Sequence, residues 1–355
     1  MGIESYGAPQ LDTSARLNVN ENPFSLPDAV VDAMAEAVRS AASSLNRYPD
    51  RDAVELRAAL AHFIERETGV CVPLDQVWAA NGSNEVMHQI FLAFGGPGRR
   101  AITFAPTYSM YPEYARDTFT DFRALSRTED FTVDASRAVA AISDLRPSIV
   151  ILTSPNNPTG TYQDPADMRA IAQAALEFNA MLVVDEAYAE FRHVGVPSAV
   201  ELLAEFPNLI VSRTMSKAFG LAGARLGYAL AADPRVVAAL QVVRLPYHLS
   251  AITQAVALAA LAHADLLMAQ VDAIRTERDA LMAWLIEHDF EVAPSDANFI
   301  LFGTFADRHV VWQRMLAEGV LIRETGPAEW LRVTVGTPEE NDMFRNAILR
   351  VREGL

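Results

Sequence analysis

Cysteine is almost missing: Cys71 stands alone in 355 residues. No disulfide can close within the chain, and a reducing compartment is expected. Cations are also scarce, with 29 Lys and Arg against 45 Asp and Glu and a formal net charge of -16. That balance argues against a nucleic-acid partner. It leaves the substrate open, because a basic pocket can sit in an acidic protein. No apolar run is long enough to span a bilayer. The most apolar one, 251–264, is broken by Thr253, Gln254 and His263. Residues 1–9 lack the basic-then-apolar order of a signal peptide. A cytoplasmic protein without membrane contact is therefore expected. The seven histidines show no metal-ligand spacing, so no metal site is expected. Internal repeats and low-complexity segments are lacking too, and the Ala-rich stretches read as helices. What is present is ordinary for a globular enzyme: 51% hydrophobic and 21% charged residues. The length suggests about two domains.

The chain is organised around 212–228, Ser-Arg-Thr-Met-Ser-Lys-Ala-Phe-Gly-Leu-Ala-Gly-Ala-Arg-Leu-Gly-Tyr, entered from the apolar run 209–211. Apolar and small residues surround Lys217. A lysine in such a setting has a depressed pKa and can form a Schiff base. Thr214, Ser216 and Arg225 are hydroxyl and guanidinium donors of the kind that bind phosphate. A Schiff-base lysine beside a phosphate site suggests pyridoxal phosphate. The same stretch also reads as a Gly-rich turn with a solvated Lys and Arg.

Other motifs fall at predicted strand ends and helix starts. Residues 20–23, Asn-Glu-Asn-Pro, read locally as a plain turn in an extended arm. A helix follows from 27 to about 44, opened by Pro27. Tyr48, in Arg-Tyr-Pro-Asp, reads as a loop aromatic before a helix that ends at Gly69. Ser83 and Asn84 precede a helix, where free backbone N–H groups make an anion site; as N-caps they would be equally at home. Tyr108 follows the strand 101–105, placed either to stack on a ligand ring or to fill the core. The apolar run 148–152 reads as a buried parallel strand. It leads into Ser-Pro-Asn-Asn-Pro-Thr-Gly, a stiff loop able to fix the Asn157 amide. Asp185 ends the strand 181–184. Burying its carboxylate would be costly without a cation, and its alternative is to cap the next turn. The region 251–288 reads as packing helices beyond a hinge at 245–249. Strands are expected at 298–302, 320–323 and 331–335, with helices at 309–318 and 338–352. Arg323 and Arg332 stand in those strands, and a strand arginine normally has an anionic partner; a salt bridge within the protein would satisfy that equally.

These segments, with Leu17 to Pro23 and Val184 to Tyr188, occur in the order seen in the fold-type I, pyridoxal-phosphate-dependent aminotransferases. The chain resembles that family over nearly its whole length, and within it the group acting on histidinol phosphate. The resemblance implies an α/β fold. A large domain, 46–246, would carry a mostly parallel sheet. A small α+β domain would comprise 1–45, with the N-terminal arm, and 247–355. It implies a homodimer with shared active sites. It implies Lys217 as the catalytic cofactor lysine, Asp185 at the ring nitrogen, Tyr108 on the ring, and Asn157 with Tyr188 at the phenolic oxygen. Ser83, Asn84, Thr214, Ser216 and Arg225 would hold the phosphate, joined by Tyr48 of the partner subunit. The family often has an acidic residue where Asn84 stands. Tyr6, Arg323 and Arg332 would bind substrate. The implied reaction is amino transfer between histidinol phosphate and 2-oxoglutarate in histidine biosynthesis. Two other activities share these cofactor residues, aromatic amino-acid transamination and phosphothreonine decarboxylation. A DNA-binding regulator is disfavoured, because no basic segment precedes Tyr6.

Overall fold

The computed structural model describes residue 7 and residues 9–353. Its centre is a seven-stranded sheet built from Val77–Ala80, Arg100–Ala105, Asp121–Ser126, Ile149–Thr153, Met181–Asp185, Leu209–Thr214 and Gly227–Ala231. From one edge to the other, the strands beginning at Val77, Gly227, Leu209, Met181, Ile149, Arg100 and Asp121 lie side by side. Only Gly227–Ala231 runs antiparallel to its neighbours. The others are parallel, joined by crossover connections, most of which carry an α-helix. This is the α/β architecture that the resemblance implies.

The strand interiors are continuously apolar because both sheet faces are covered. Ile149, Ile151, Val183 and Ile210 belong to one apolar cluster. Val150, Leu152, Leu182, Val184, Leu209 and Val211 belong to another. The alternation follows the period of two along a strand. The first face is covered by Ser83–Phe94, Tyr111–Asp117 and Pro234–Val243, through residues such as Ile90, Tyr111 and Leu240. Val54–Thr68, Ala135–Leu145 and Pro165–Glu177 cover the second through Leu60, Ile142 and Ile171.

A second sheet, in the C-terminal part, orders its strands Arg323–Glu324, Leu331–Thr334, Phe299–Gly303 and Glu291–Val292, all antiparallel. The N-terminal arm is tied to this part. Ala15–Arg16 pairs in parallel with Val320–Leu321, and the Leu17 carbonyl accepts from Thr334 N–H at 2.9 Å. The helix Asp28–Ala42 packs on Ala251–Ala262.

One expectation needed correction. The expected strand 320–323 is two strands in different sheets, split at Ile322, which is buried between them. The helical region 251–288 breaks at His263 into Ala251–Ala262 and Ala264–Glu287, bent by 74°. Among the described residues, no single helix is long and apolar enough to cross a membrane. Nor does any group of three or more metal-ligating side chains occur among them.

Candidate active site

The parallel strands point their C-terminal ends into one cleft of about 220 Å³, where open α/β sheets place their ligands. Ser83, Asn84, Tyr108, Asn157, Asp185 and Tyr188 line it. So do Thr214, Ser216, Lys217 and Arg225 from the central stretch, and Arg323 and Arg332 from the C-terminal sheet. The arm closes another wall with Asn18, Val19, Asn20 and Glu21. Tyr48, expected to serve the partner subunit, is not in the lining of its own cleft. Tyr48 is 79% exposed and stacks on Tyr247 with ring centroids 4.4 Å apart. Tyr6 lies outside the described residues.

Lys217 sits at the centre, half-buried, its Nζ donating to the Val19 carbonyl at 3.0 Å. Desolvation lowers its pKa to about 8; the Arg332 and Arg225 cations add to the fall, and Glu21 opposes them. An amine so placed is neutral, and hence nucleophilic, over a range where a surface lysine stays charged.

One end of the cleft is built for an anion. Thr214 Oγ1 donates to Ser216 Oγ at 3.0 Å, and Arg225 Nη1 approaches Ser216 Oγ at 3.5 Å. The helix Ser83–Phe94 begins beside them, with Gly82 as N-cap and no side-chain cap. Ser83 and Asn84 are therefore not the N-caps that their residue types suggest but the first helical residues, and both line the cleft at a helix start, where the dipole favours negative charge. Close packing requires glycine twice. A Cβ on Gly82, already at φ +82°, would lie 2.6 Å from Arg225 Nη2. A Cβ on Gly227 would lie 2.1 Å from Ser83 N. Asn84 presents its Oδ1 to two tyrosines, accepting from Tyr114 at 2.9 Å and Tyr108 at 3.3 Å. Its side-chain oxygen thus engages the tyrosines, while the residue itself stands in the cleft lining beside Ser83.

At the opposite end Asp185 is 5% exposed. Its Oδ2 accepts from the Tyr111 hydroxyl at 2.7 Å and its Oδ1 from Ala187 N–H at 3.2 Å. It does cap the following turn, and it faces the cleft as well. Burial pushes its pKa up to about 6 against the pull of those two bonds. Among the described residues no protein cation offsets the burial, which leaves a carboxylate suited to a cationic ligand group.

Asn157 and Tyr188 stand between these ends. Of the two adjacent asparagines, Asn156 is wholly buried and braces its own loop through Thr159 Oγ1 at 2.8 Å and the Pro106 carbonyl at 3.0 Å. Asn157 faces the cleft, where its Oδ1 accepts from Arg332 Nη1 at 2.5 Å. Arg332 also donates to the Asn18 carbonyl at 2.8 Å. Arg323 is its Cα partner across the strands, so two guanidinium groups approach the same wall. Adjacent like charges favour an anion between them.

The family model for aminotransferase class I and II matches residues 13–348. The chain belongs to the class I and II aminotransferase family. The histidinol-phosphate aminotransferase of Thermobifida fusca is 59% identical over 348 residues, covering 98% of this chain and 93% of that one. Histidinol-phosphate aminotransferase 3 of Burkholderia lata is 56% identical over 347 residues, with 98% and 93% covered. The solved structure of histidinol-phosphate aminotransferase from Sinorhizobium meliloti in complex with pyridoxal-5'-phosphate superposes with a TM-score of 0.85. It is 27% identical, with 96% of this chain and 91% of that chain covered.

In this aminotransferase the sequence reading passed over three residues. Asn20 looked like part of a plain turn. It does turn, at φ +56°, but its Nδ2 also donates to the Tyr188 hydroxyl at 2.9 Å. Thr153 lines the cleft at the end of its strand. Tyr111 lies beneath it, fully buried. A polar residue closing an apolar strand is a signal that pointed to Asp185 and applied equally to Thr153. Nothing local distinguished Tyr111 from a core aromatic.

Proposed function

We propose that the protein is a pyridoxal-phosphate-dependent transaminase that moves the amino group between histidinol phosphate and 2-oxoglutarate, giving imidazole-acetol phosphate and glutamate. The single observation that carries this reading is one cleft that joins an amine of depressed pKa, an anion end, a buried carboxylate and two arginines on adjoining strands. The named relatives, at 59% and 56% identity, support the same substrate.

The residues present fit the cofactor. The anion end suits a phosphate ester, with Ser83, Asn84, Thr214, Ser216 and Arg225 as its donors. The Asp185 carboxylate suits a protonated ring nitrogen. Tyr108, braced by Asn84, offers a face for the ring, and the Asn157 amide and Tyr188 hydroxyl suit the phenolic oxygen. When bound, pyridoxal phosphate supplies an aldehyde carbon that exchanges one amine for another and a ring that accepts electron density from the substrate's reacting carbon. Lys217 Nζ acts as the covalent anchor and then as the base and acid that carries a proton on and off that carbon. Its depressed pKa makes both tasks accessible near neutral pH. Arg332 holds the substrate anion next to the reacting carbon, a phosphate ester for one substrate and a carboxylate for the other, since its planar fork pairs with either. Arg323 adds the second positive charge that a phosphate dianion or glutamate's distal carboxylate needs. Tyr6, outside the described residues, is proposed to join them.

The second part of the proposal is the assembly: a cytoplasmic homodimer in which Tyr48 of one copy reaches the phosphate end of the other. Tyr48, 79% exposed and outside the lining of its own cleft, supports it. The division into a large domain, 46–246, and a small one from both chain ends is supported by sheet membership, since the seven strands fall within 77–231 and the second sheet within 291–334.

The test is a donor panel with 2-oxoglutarate as acceptor. The unaltered enzyme should turn over histidinol phosphate in preference to phenylalanine and tyrosine. Arg323→Ala should lower kcat/KM for histidinol phosphate by roughly one to two decades, the worth of a charge-assisted bond. It should affect phenylalanine less, and Arg332→Ala should impair both. A preference for phenylalanine would transfer the assignment to aromatic amino acids.

A further inference from the structure

Beneath the cleft floor lies a line of hydroxyl groups that the proposed reaction has not used. Thr107 Oγ1 meets Thr153 Oγ1 at 3.1 Å, Thr153 Oγ1 meets the Tyr111 hydroxyl at 2.9 Å, and that hydroxyl donates to Asp185 Oδ2 at 2.7 Å. Tyr111 is fully buried and opens the short helix Tyr111–Asp117, its ring edge-on to Tyr108 at 5.6 Å. A phenol can donate only one hydrogen, and here it goes to the carboxylate. The Thr153 hydroxyl is then free to donate to the phenolic oxygen, which makes the phenol a stronger donor.

We propose that Tyr111, backed by Thr153, is a positioning residue that holds Asp185 as an oriented carboxylate for a protonated ring nitrogen. The inference rests on the pyridoxal phosphate reading and adds to it the group that lets this carboxylate stay ionised while buried. Burial alone favours the neutral acid. A donor aimed at Oδ2, with Ala187 N–H on Oδ1, opposes burial and fixes which carboxylate edge faces the cleft. The charged and titratable groups around the pair are few. Glu186 follows Asp185 and disfavours its charge. Tyr114 and the buried Arg127 act on Tyr111 from beneath, and Arg127 also donates to the Thr153 carbonyl at 3.3 Å. Lys217 and Tyr188 line the same cleft.

The test compares uptake of two compounds by the cofactor-free apoprotein: pyridoxal phosphate and its carbocyclic analogue, in which C–H replaces the ring nitrogen. For Tyr111→Phe, the Kd for pyridoxal phosphate should rise about tenfold. The Kd for the analogue, which offers Asp185 no N–H, should change little. The pH profile should move as well. As pH falls through the Asp185 pKa, a proton must leave before the carboxylate can pair with a protonated ring, so affinity for pyridoxal phosphate drops. Without the Tyr111 hydroxyl that drop should begin at higher pH. A merely structural role would weaken both compounds alike and leave the pH midpoint in place, and either result would overturn the proposal. Thr153→Val should shift the same readings in the same direction by a smaller amount, and it carries the test if Tyr111→Phe does not fold. Failure of the unaltered protein to take up pyridoxal phosphate would instead overturn the cofactor reading itself.

Discussion

Asp185 illustrates how a single residue divides its effect between stability and function. Its folded pKa, about 6, lies above the ordinary value of 3.8. Ionising it is therefore harder in the folded apoprotein than in the unfolded chain. The stability linked to this group is fully present below the unfolded pKa and is lost as pH rises through about 6. Replacing it with a neutral isostere should relieve that cost. Apo Asp185→Asn is expected to be more stable than the parent at pH 7 by roughly 2–3 kcal/mol, with the gain vanishing below about pH 4. The same variant should bind pyridoxal phosphate much more weakly. Urea unfolding of both apoproteins across pH 4–8 measures the first effect, and a parent more stable than the variant at pH 7 would contradict it. The sequence signalled this residue because a carboxylate closed an apolar strand. Tyr111 gave no such signal: its partner is Asp185, 74 positions away, and proximity of that kind exists only once the sheet has formed.

At the scale of elements, the cleft depends on how closely one antiparallel strand approaches one helix start. Gly227 opens the strand Gly227–Ala231 against the Gly82–Ser83 backbone, with no room for a side chain. Gly227→Ala should force the strand and the helix apart. The expected cost is about 1–3 kcal/mol of stability, as for other overpacked sites, together with a loss of phosphate affinity that exceeds any change at the ring-nitrogen end. Thermal unfolding with and without inorganic phosphate reads both. Equal protection by phosphate in variant and parent would show that this contact does not shape the anion end. The parallel strands were legible because they run apolar, with β-branched residues, up to their last position, as at Ile149–Thr153 and Met181–Asp185. Gly227–Ala231, with its Ala and Leu, and the helix Pro234–Val243 carried no equally distinct pattern and were not anticipated as separate elements. The bend at His263 is marked by neither Gly nor Pro, and only the fold shows its angle. In the Asn157 loop only the fold shows that Asn156 braces the turn while Asn157 faces the cleft.

The whole molecule raises the question of how many chains make one site. If Tyr48 serves the partner's phosphate, Lys217→Ala and Tyr48→Phe subunits should complement each other. In a mixed dimer one site joins an intact Lys217 to an intact Tyr48 and the other has neither. Equal mixing with free exchange should then restore about one quarter of parental turnover. Demonstrated exchange with no recovery beyond the Tyr48→Phe residue would count against a shared site. The central claim is amino transfer itself. Its most direct test supplies the holoenzyme with histidinol phosphate labelled with ¹⁵N at the amino group, together with 2-oxoglutarate, and follows the label and released carbon dioxide. The account predicts one labelled glutamate for each histidinol phosphate consumed, no carbon dioxide, and no transfer by Lys217→Ala. Histidinol phosphate left unconsumed, or label that never reaches glutamate, would contradict it.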